Sequence, residues 1–386
     1  MTEQAIAGTT SRNLMISSAA VVATAMLFGL TYSLSASLIA LDLAERGFGD
    51  GMIGLNAAMQ AIGVLVVAPL LPRLVGRFGV HSMILAALVT TAPVLAAFPF
   101  MPSLALWFPL RLLLGCASQI LFVLAQTWVT GLSTERNRGR ALAVYITFAS
   151  LGLALGPLIL ALIGSLDATP YLVGAALVLI GALIMLTPHL AVPRFEAPPA
   201  GGFLRFFRVA PIAILTTMLN AGLEAAGLCF LPLYAMSAGW TEERATLLIS
   251  TLMFGAILMQ IPIGWLGDKV DRRRLAVALG FLSSAGALAW PFVLHLPWIA
   301  FPLLFVWGGL FVGIYTTMLT IVGGRFKGGE LVGIYAAMGM TWGVGALLGP
   351  ALAGVAMIFF THGLPLFAAA ACLLFALFLA ATKREV

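Results

Sequence analysis

Long apolar runs alternate with short polar interruptions along the whole chain. Runs long enough to cross a bilayer fall near 14–41, 51–72, 82–101, 104–130, 141–164, 170–192, 210–235, 246–266, 275–295, 298–322, 331–360 and 363–382. About 20 apolar residues suffice for one helical crossing, so the pattern predicts an all-α polytopic membrane protein with twelve transmembrane helices. The longest interruption, near 193–209, contains Pro193, Pro198, Pro199, Gly201 and Gly202, which break any helix. It divides the chain into an N-terminal six-helix bundle over 1–192, a linker over 193–209 and a C-terminal six-helix bundle over 210–386.

Composition narrows the class. The chain is 62% hydrophobic and 9% charged, with a mean hydropathy of +1.09, whereas soluble domains are about 45–50% apolar and about 25% charged. Twelve spans use roughly 240 residues, which leaves no room for a soluble catalytic domain. The net charge of +6 is scattered over short loops rather than gathered on a face, so nucleic acid is not an expected partner. Cys116, Cys229 and Cys372 all lie inside apolar runs, as small buried hydrophobes do, and suggest neither a disulfide framework nor a metal site. The polar segment 1–13 holds only Arg12 as a basic residue and does not read as a cleaved signal peptide, so the first span is expected to be retained.

The basic residues set the sidedness. Of 20 Lys and Arg, Arg111 lies inside a span, Arg46 and Arg244 lie on one side of the predicted topology, and the remaining 17 lie on the other. Positive residues accumulate on the cytoplasmic side, so both termini are expected in the cytoplasm. An internal repeat follows the same division. Gly152-x-x-x-Gly156-Pro157 in the fifth run recurs as Gly345-x-x-x-Gly349-Pro350 in the eleventh, 193 positions later. Two parallel, pseudo-symmetric halves are the architecture this implies. Glycines at this spacing let helices approach closely, and the proline weakens the helix beside them.

Six charged residues crowd seven positions at Asp268-Lys269-Val270-Asp271-Arg272-Arg273-Arg274, between two spans. With Gly264 they resemble the loop pattern Gly-x-x-x-Asp-Arg/Lys-x-Gly-Arg-Arg/Lys of the major facilitator superfamily. Gly264, Asp268, Lys269, Arg272 and Arg273 fall on that pattern, and Asp271 stands where glycine is usual. The N-terminal copy, 192 positions earlier, is worn: Gly76 replaces the aspartate, and Val80 and His81 replace the two basic residues. An aspartate with basic neighbours can latch one bundle to another by charge-assisted hydrogen bonds; the alternative is an ordinary charge-rich cytoplasmic loop. The Gly-Pro element resembles a fifth-helix pattern associated with antiporters, although Leu160 and Ala161 replace its trailing glycines. Close packing alone is the competing reading.

Two charges fall within spans, where insertion costs about 2.5–3.5 kcal/mol and usually marks a cavity or a partner. Arg111, in Arg111-Leu112-Leu113-Leu114-Gly115, resembles the family's fourth-helix Arg-x-x-x-Gly motif, which implies a part in coupling protons to substrate. Alternatively it snorkels to the interface, since it lies near the start of its span. Glu224 is the only acid deep in a span, with Asn220 one turn earlier on the same face. It can carry a proton, attract a cationic substrate, or make a fixed bond between helices. The segment 111–145 resembles a bacterial subgroup with poorly defined substrates, in which Glu-Ser-Trp is common where this chain has Gln126-Thr127-Trp128. That loss of an acid shifts the proton site towards Glu224.

Other polar or aromatic residues in spans are candidates for a substrate cavity: Tyr32, Asn56, Gln60, Gln119, Gln126, Tyr145, Gln260, Trp307, Tyr315, Tyr335 and Trp342. No nucleotide-binding loop, metal-ligand cluster or nucleophile with its base is evident in the sequence. The resemblance therefore implies a monomeric secondary transporter of a bacterial inner membrane, in contact with lipid. It would exchange a small neutral, cationic or amphipathic solute for protons by alternating access, without a cofactor. Proton-coupled uptake or uniport is the runner-up, and a non-transporting membrane sensor or assembly factor is the rival from another class.

Overall fold

A computed structural model describes residues 11–132, 138–165, 167–188, 190–192, 209–326 and 328–382, and every regular element among them is helical. The elements are α1 Ser11–Glu45, α2 Asp50–Val67, α3 Leu71–Phe78, α4 Val80–Ala97, α5 Leu104–Leu132, α6 Arg138–Ile163, α7 Thr169–Met185, α8 Pro211–Ser237, α9 Glu242–Leu258, α10 Gln260–Lys269, α11 Arg272–Val293, α12 Pro297–Arg325, α13 Gly328–Phe359 and α14 Gly363–Ala381. Among the described residues eleven segments are long and apolar enough to cross a membrane, with α9 and α10 forming one of them, and α7 is a shorter apolar helix of 17 residues. The sixth run was expected to extend to 192. Its helix ends at Met185, because Pro188 disfavours helical backbone at Thr187. Of the linker expected over 193–209, residues 193–208 lie outside the described residues.

Two runs that look continuous in sequence are broken. The second stops at Val67, turns through 68–70 with Pro69, and resumes as α3 with Pro72 in its first turn. The eighth breaks at Met259, with Pro262 just inside α10. The breaks are about 192 positions apart, as are Gly47 and Gly239, which turn the chain at φ +83° and +92° after α1 and α8. The repeat thus extends to local backbone geometry.

The described residues fall into two compact units, one drawn from Met1–Leu38 and Ile62–Pro199, the other from Ile39–Ala61 and Ala200–Val386. In the first, α4 packs on both α5 and α7. There Gly152 of α6 meets α1 so closely that an added Cβ would lie 2.1 Å from the Met26 carbonyl oxygen. In the second, α8 packs on α13, α9 on α12, and α11 on both α12 and α14. The corresponding seam there is between α13 and α8: a Cβ on Gly345 would lie 2.3 Å from the Met218 oxygen, and one on Gly349 2.2 Å from that of Gly222. The start of α2 belongs to this second unit, where Gly54 lies against Phe230 and the Pro350 carbonyl. Leu275, Leu279, Ile314, Met318, Ile334 and Phe375 join α11, α12, α13 and α14 in one buried core.

Candidate functional site

Helix α8 starts at Pro211, whose ring pre-sets the first turn and whose missing N–H would be unpaired there anyway. Its polar side chains divide into two kinds. Thr216 and Thr217 bond back to Ile212 and Ala213 carbonyls at 2.7 and 2.9 Å, so the helix itself satisfies them. Asn220 and Glu224 are not satisfied in this way. Oδ1 of Asn220 is buried without a partner, and no hydrogen bond or ion pair reaches Glu224 from the described residues.

Glu224 is thirteen residues from either end of α8, and it is half-buried rather than sealed. Gly222, which lies in the seam with α13, is two positions away and so about 200° around the helix. Ala221, which also touches α13, is three positions earlier and about 60° away, so Glu224 flanks that seam without lying in it. A carboxylate in a span's middle with residual access and no fixed partner is able to exchange a proton or meet a cation.

In the first unit, Arg111 is 2% exposed. Its Nη1 donates to the Ser35 carbonyl oxygen of α1 at 2.8 Å. The side chain is thus enclosed among helices and does not snorkel to a surface. The segment of α1 that receives it carries Thr31, Ser33, Ser35 and Ser37, all at most 6% exposed. Ser33 and Ser35 bond back to the Leu30 and Tyr32 carbonyls at 3.3 and 3.1 Å, a habit that bends helices and redirects carbonyls. Sequence reasoning missed this run. Its signal was a cluster of hydroxyls within one apolar span.

The cavity candidates separate by how their polar atoms are used. In three of them the polar atoms bond within their own unit. Tyr145, 1% exposed, donates its hydroxyl to the Phe122 carbonyl at 2.9 Å. Gln260 donates to the Ala256 carbonyl at 2.6 Å and accepts from the Thr316 hydroxyl, which ties the break between α9 and α10 to α12. Trp307 donates to the Ser283 carbonyl at 2.8 Å and stacks edge-on with Trp290 at 4.7 Å, inside the second unit's core.

The rest keep more chemistry. Asn56 is 1% exposed, and neither amide atom has a partner among the described residues. Gln60, Gln119 and Tyr32 are buried, while Gln126, Tyr315 and Trp342 are half-buried. Trp342 packs against the small cluster Ala61, Ala221, Ala225 and Ala346. The side chain of Tyr335 lies outside the described residues.

The charged loop is built from bonds within its own unit. Arg273 donates through Nη2 to the Leu379 carbonyl at 2.5 Å and also to that of Thr382, which fastens the loop to the end of α14. Arg272 reaches the Gly267 and Thr320 carbonyls at 3.3 and 3.4 Å, and its ion pair with Asp268 is loose, at 3.5 Å, and exposed. Lys269 sits 3.6 Å over the Trp265 ring. Asp271, the departure from the expected glycine, caps α11 by accepting from the Arg274 N–H at 2.9 Å. A Cβ on Gly264 would meet nothing within 4 Å, so close approach does not explain a glycine there. The second glycines of the two Gly-Pro elements, Gly156 and Gly349, lie like the first ones in close helix seams, each followed by Pro157 or Pro350 inside the helix.

Comparison with known proteins gives a consistent result. A sequence profile of the Major Facilitator Superfamily matches residues 21–256 and 213–385. A Bacillus subtilis (strain 168) protein, named as the uncharacterized MFS-type transporter YfkF, is 26% identical over 332 residues, covering 84% of this chain and 85% of its own. An Escherichia coli O45:K1 (strain S88 / ExPEC) protein, the uncharacterized MFS-type transporter YcaD, is 24% identical over 343 residues, or 88% of each. Among solved structures, a mutant form of the nucleoside transporter NupG aligns with a TM-score of 0.79 at 15% identity, covering 95% of this chain and 100% of that one. A D-xylose-proton symporter aligns at 0.76 with 14% identity, covering 96% and 98%. At such identities the structures speak for the fold alone.

Proposed function

We propose that this chain, which belongs to the Major Facilitator Superfamily, exports a small organic solute in exchange for protons, with Glu224 as the proton carrier. Members of this family are multi-pass membrane transporters and not enzymes, so what is open is the solute, the direction and the coupling ion. The observation that carries the reading is Glu224 itself. It is a half-buried carboxyl at the midpoint of α8, with no partner among the described residues and an equally unsatisfied Asn220 one turn away. A structural carboxyl would be expected to have a fixed donor, because an unpaired buried charge is costly.

In this reading Glu224 is ionised while its site faces water and meets either a proton or the solute. The return movement is favoured only once that charge is neutralised or replaced. The two bundles, 1–192 and 210–386, rock about the site with the termini in the cytoplasm, an orientation supported by the strong bias of Lys and Arg to one side. Arg111, held on the α1 carbonyl at Ser35, biases the first bundle electrostatically. Asp268 with Lys269, Arg272 and Arg273 gates the cytoplasmic end, and its bonds to α12 and α14 transmit movement of α10 to the rest of the second unit.

The test is reconstitution in liposomes loaded with a pH-sensitive dye, with a panel of neutral, cationic and amphipathic compounds. Wild type should move protons in response to at least one compound, and Glu224→Gln should lose that movement while retaining exchange of the same compound. Full coupling in Glu224→Gln would remove Glu224 from the mechanism. Binding without any flux in wild type would favour the non-transporting rival.

A further inference from the structure

The two halves differ most at the broken ends of their second helices, and the first copy has properties that transport does not use. Helix α3 is an eight-residue segment, Leu71–Phe78, detached from α2 by the turn at 68–70. Leu71 and Val75 face inward at 3% and 2% exposure. The flank that carries Leu70, Arg73 and Arg77 is open: Leu70 is 42% exposed and both arginines are exposed, and Phe78, seven positions after Leu71 and so on the Leu71 side, is 52% exposed at the helix's end. Leu70, Arg73 and Arg77 are three and then four positions apart, so they lie on one stripe of the helix. Arg77 stands 5.4 Å from the Phe78 ring. Apolar groups flanking two guanidinium groups at the end of a spanning helix match the composition of a helix lying in a membrane interface.

Charge makes the occupant specific. Between Asp50 and Glu135 the sequence contains no acidic residue. The aspartate that partners the basic residues in the second copy is here Gly76. The arginines of α3 therefore have no carboxylate on their own segment, and the guanidinium fork suits phosphate oxygens. In the second copy Lys269, the counterpart of Arg77, sits over Trp265, which stands where Arg73 is in the first, and the neighbouring Arg272 and Arg273 are tied to carbonyls in a loop shared with Asp268 and Asp271.

We infer that the exposed face of α3 is a docking surface for the phosphate of an anionic phospholipid in the adjoining leaflet. Arg73 and Arg77 hold the headgroup, and Leu70 and Phe78 enter the acyl region. The worn copy of the loop has exchanged an internal charge latch for an anchor on the membrane.

Native mass spectrometry of the full chain in detergent, offered equal phosphatidylglycerol and phosphatidylcholine, tests this. Wild type should retain phosphatidylglycerol preferentially. In R73Q/R77Q that preference should fall by up to about 30-fold, the weight of two basic side chains at an anionic surface. R73K/R77K should keep most of it, and K269Q, in the second copy, should keep all of it. Equal preference in wild type and R73Q/R77Q would overturn the site, as would its loss in K269Q instead. Displacement by millimolar inorganic phosphate would identify a free-anion site and overturn the lipid assignment.

Discussion

The Gly-Pro elements of the two halves have stayed alike, while the charged loops have drifted apart. Gly152 on Met26 and Gly345 on Met218 are the same event 193 residues apart, a glycine pressed against a carbonyl of the first helix of its half. Arg77 and Lys269 are also equivalent in the repeat, yet one lies on an open basic face and the other sits over Trp265 in a loop of mixed charge. A helix seam is set by excluded volume, which admits one residue type. A loop at a water interface is set by exchangeable hydrogen bonds, and it can change partners without unfolding its neighbours.

The comparison can be broken first at the seams. Gly152→Ala and Gly345→Ala should each destabilise by about 3 kcal/mol or more, since the added methyl meets backbone that cannot yield. Thermal melting in detergent, followed by size-exclusion chromatography, should show both losing the monodisperse species at similar temperatures. Gly264→Ala, with open space around it, should melt with wild type. If one seam tolerates alanine and the other does not, the two are not equivalent.

A smaller contrast is expected between the loops. Arg273→Gln gives up charge-assisted bonds to the end of α14 and should cost about 1.5–3 kcal/mol. Arg77→Gln, on an exposed face, should stay within about 0.5 kcal/mol of wild type. The same melting assay in lipid-free detergent separates them, and equal losses would erase the distinction between the copies. Finest of all is Asp271. Replacing this helix cap by alanine should cost about 1 kcal/mol, and replacing it by glycine, the residue usual in the pattern, only a few tenths.

Much of this was legible in the sequence, for identifiable reasons. Membrane spans, the halves' repeat and the Gly-Pro elements announce themselves because they depend on local composition and on a fixed spacing. Glu224 stood out because an acid deep in an apolar run has few explanations. The breaks at 68–70 and at Met259 did not stand out, since apolar character continues through both. Nor could the sequence show how the polar atoms of Trp307, Tyr145 and Gln260 are used. Their polar atoms are satisfied by Ser283, Phe122 and Thr316, partners 23 to 56 positions away whose proximity only the fold creates. The hydroxyl run from Thr31 to Ser37 was passed over for the converse reason: each residue looked harmless alone, and only the enclosed Arg111 gives the group a meaning.

The short sixth crossing has a consequence for the lipid around it. At 17 residues, α7 is about 25 Å long, while α1, at 35 residues, is about 52 Å. A hydrocarbon layer of about 30 Å fits neither. The longer helix can tilt or protrude, but the shorter one cannot stretch, so a bilayer that it crosses thins beside it or is met by its flanking residues, at an elastic cost for each ångström of mismatch. On that arithmetic the lipid beside α7 carries a mismatch of opposite sign to the lipid beside α1.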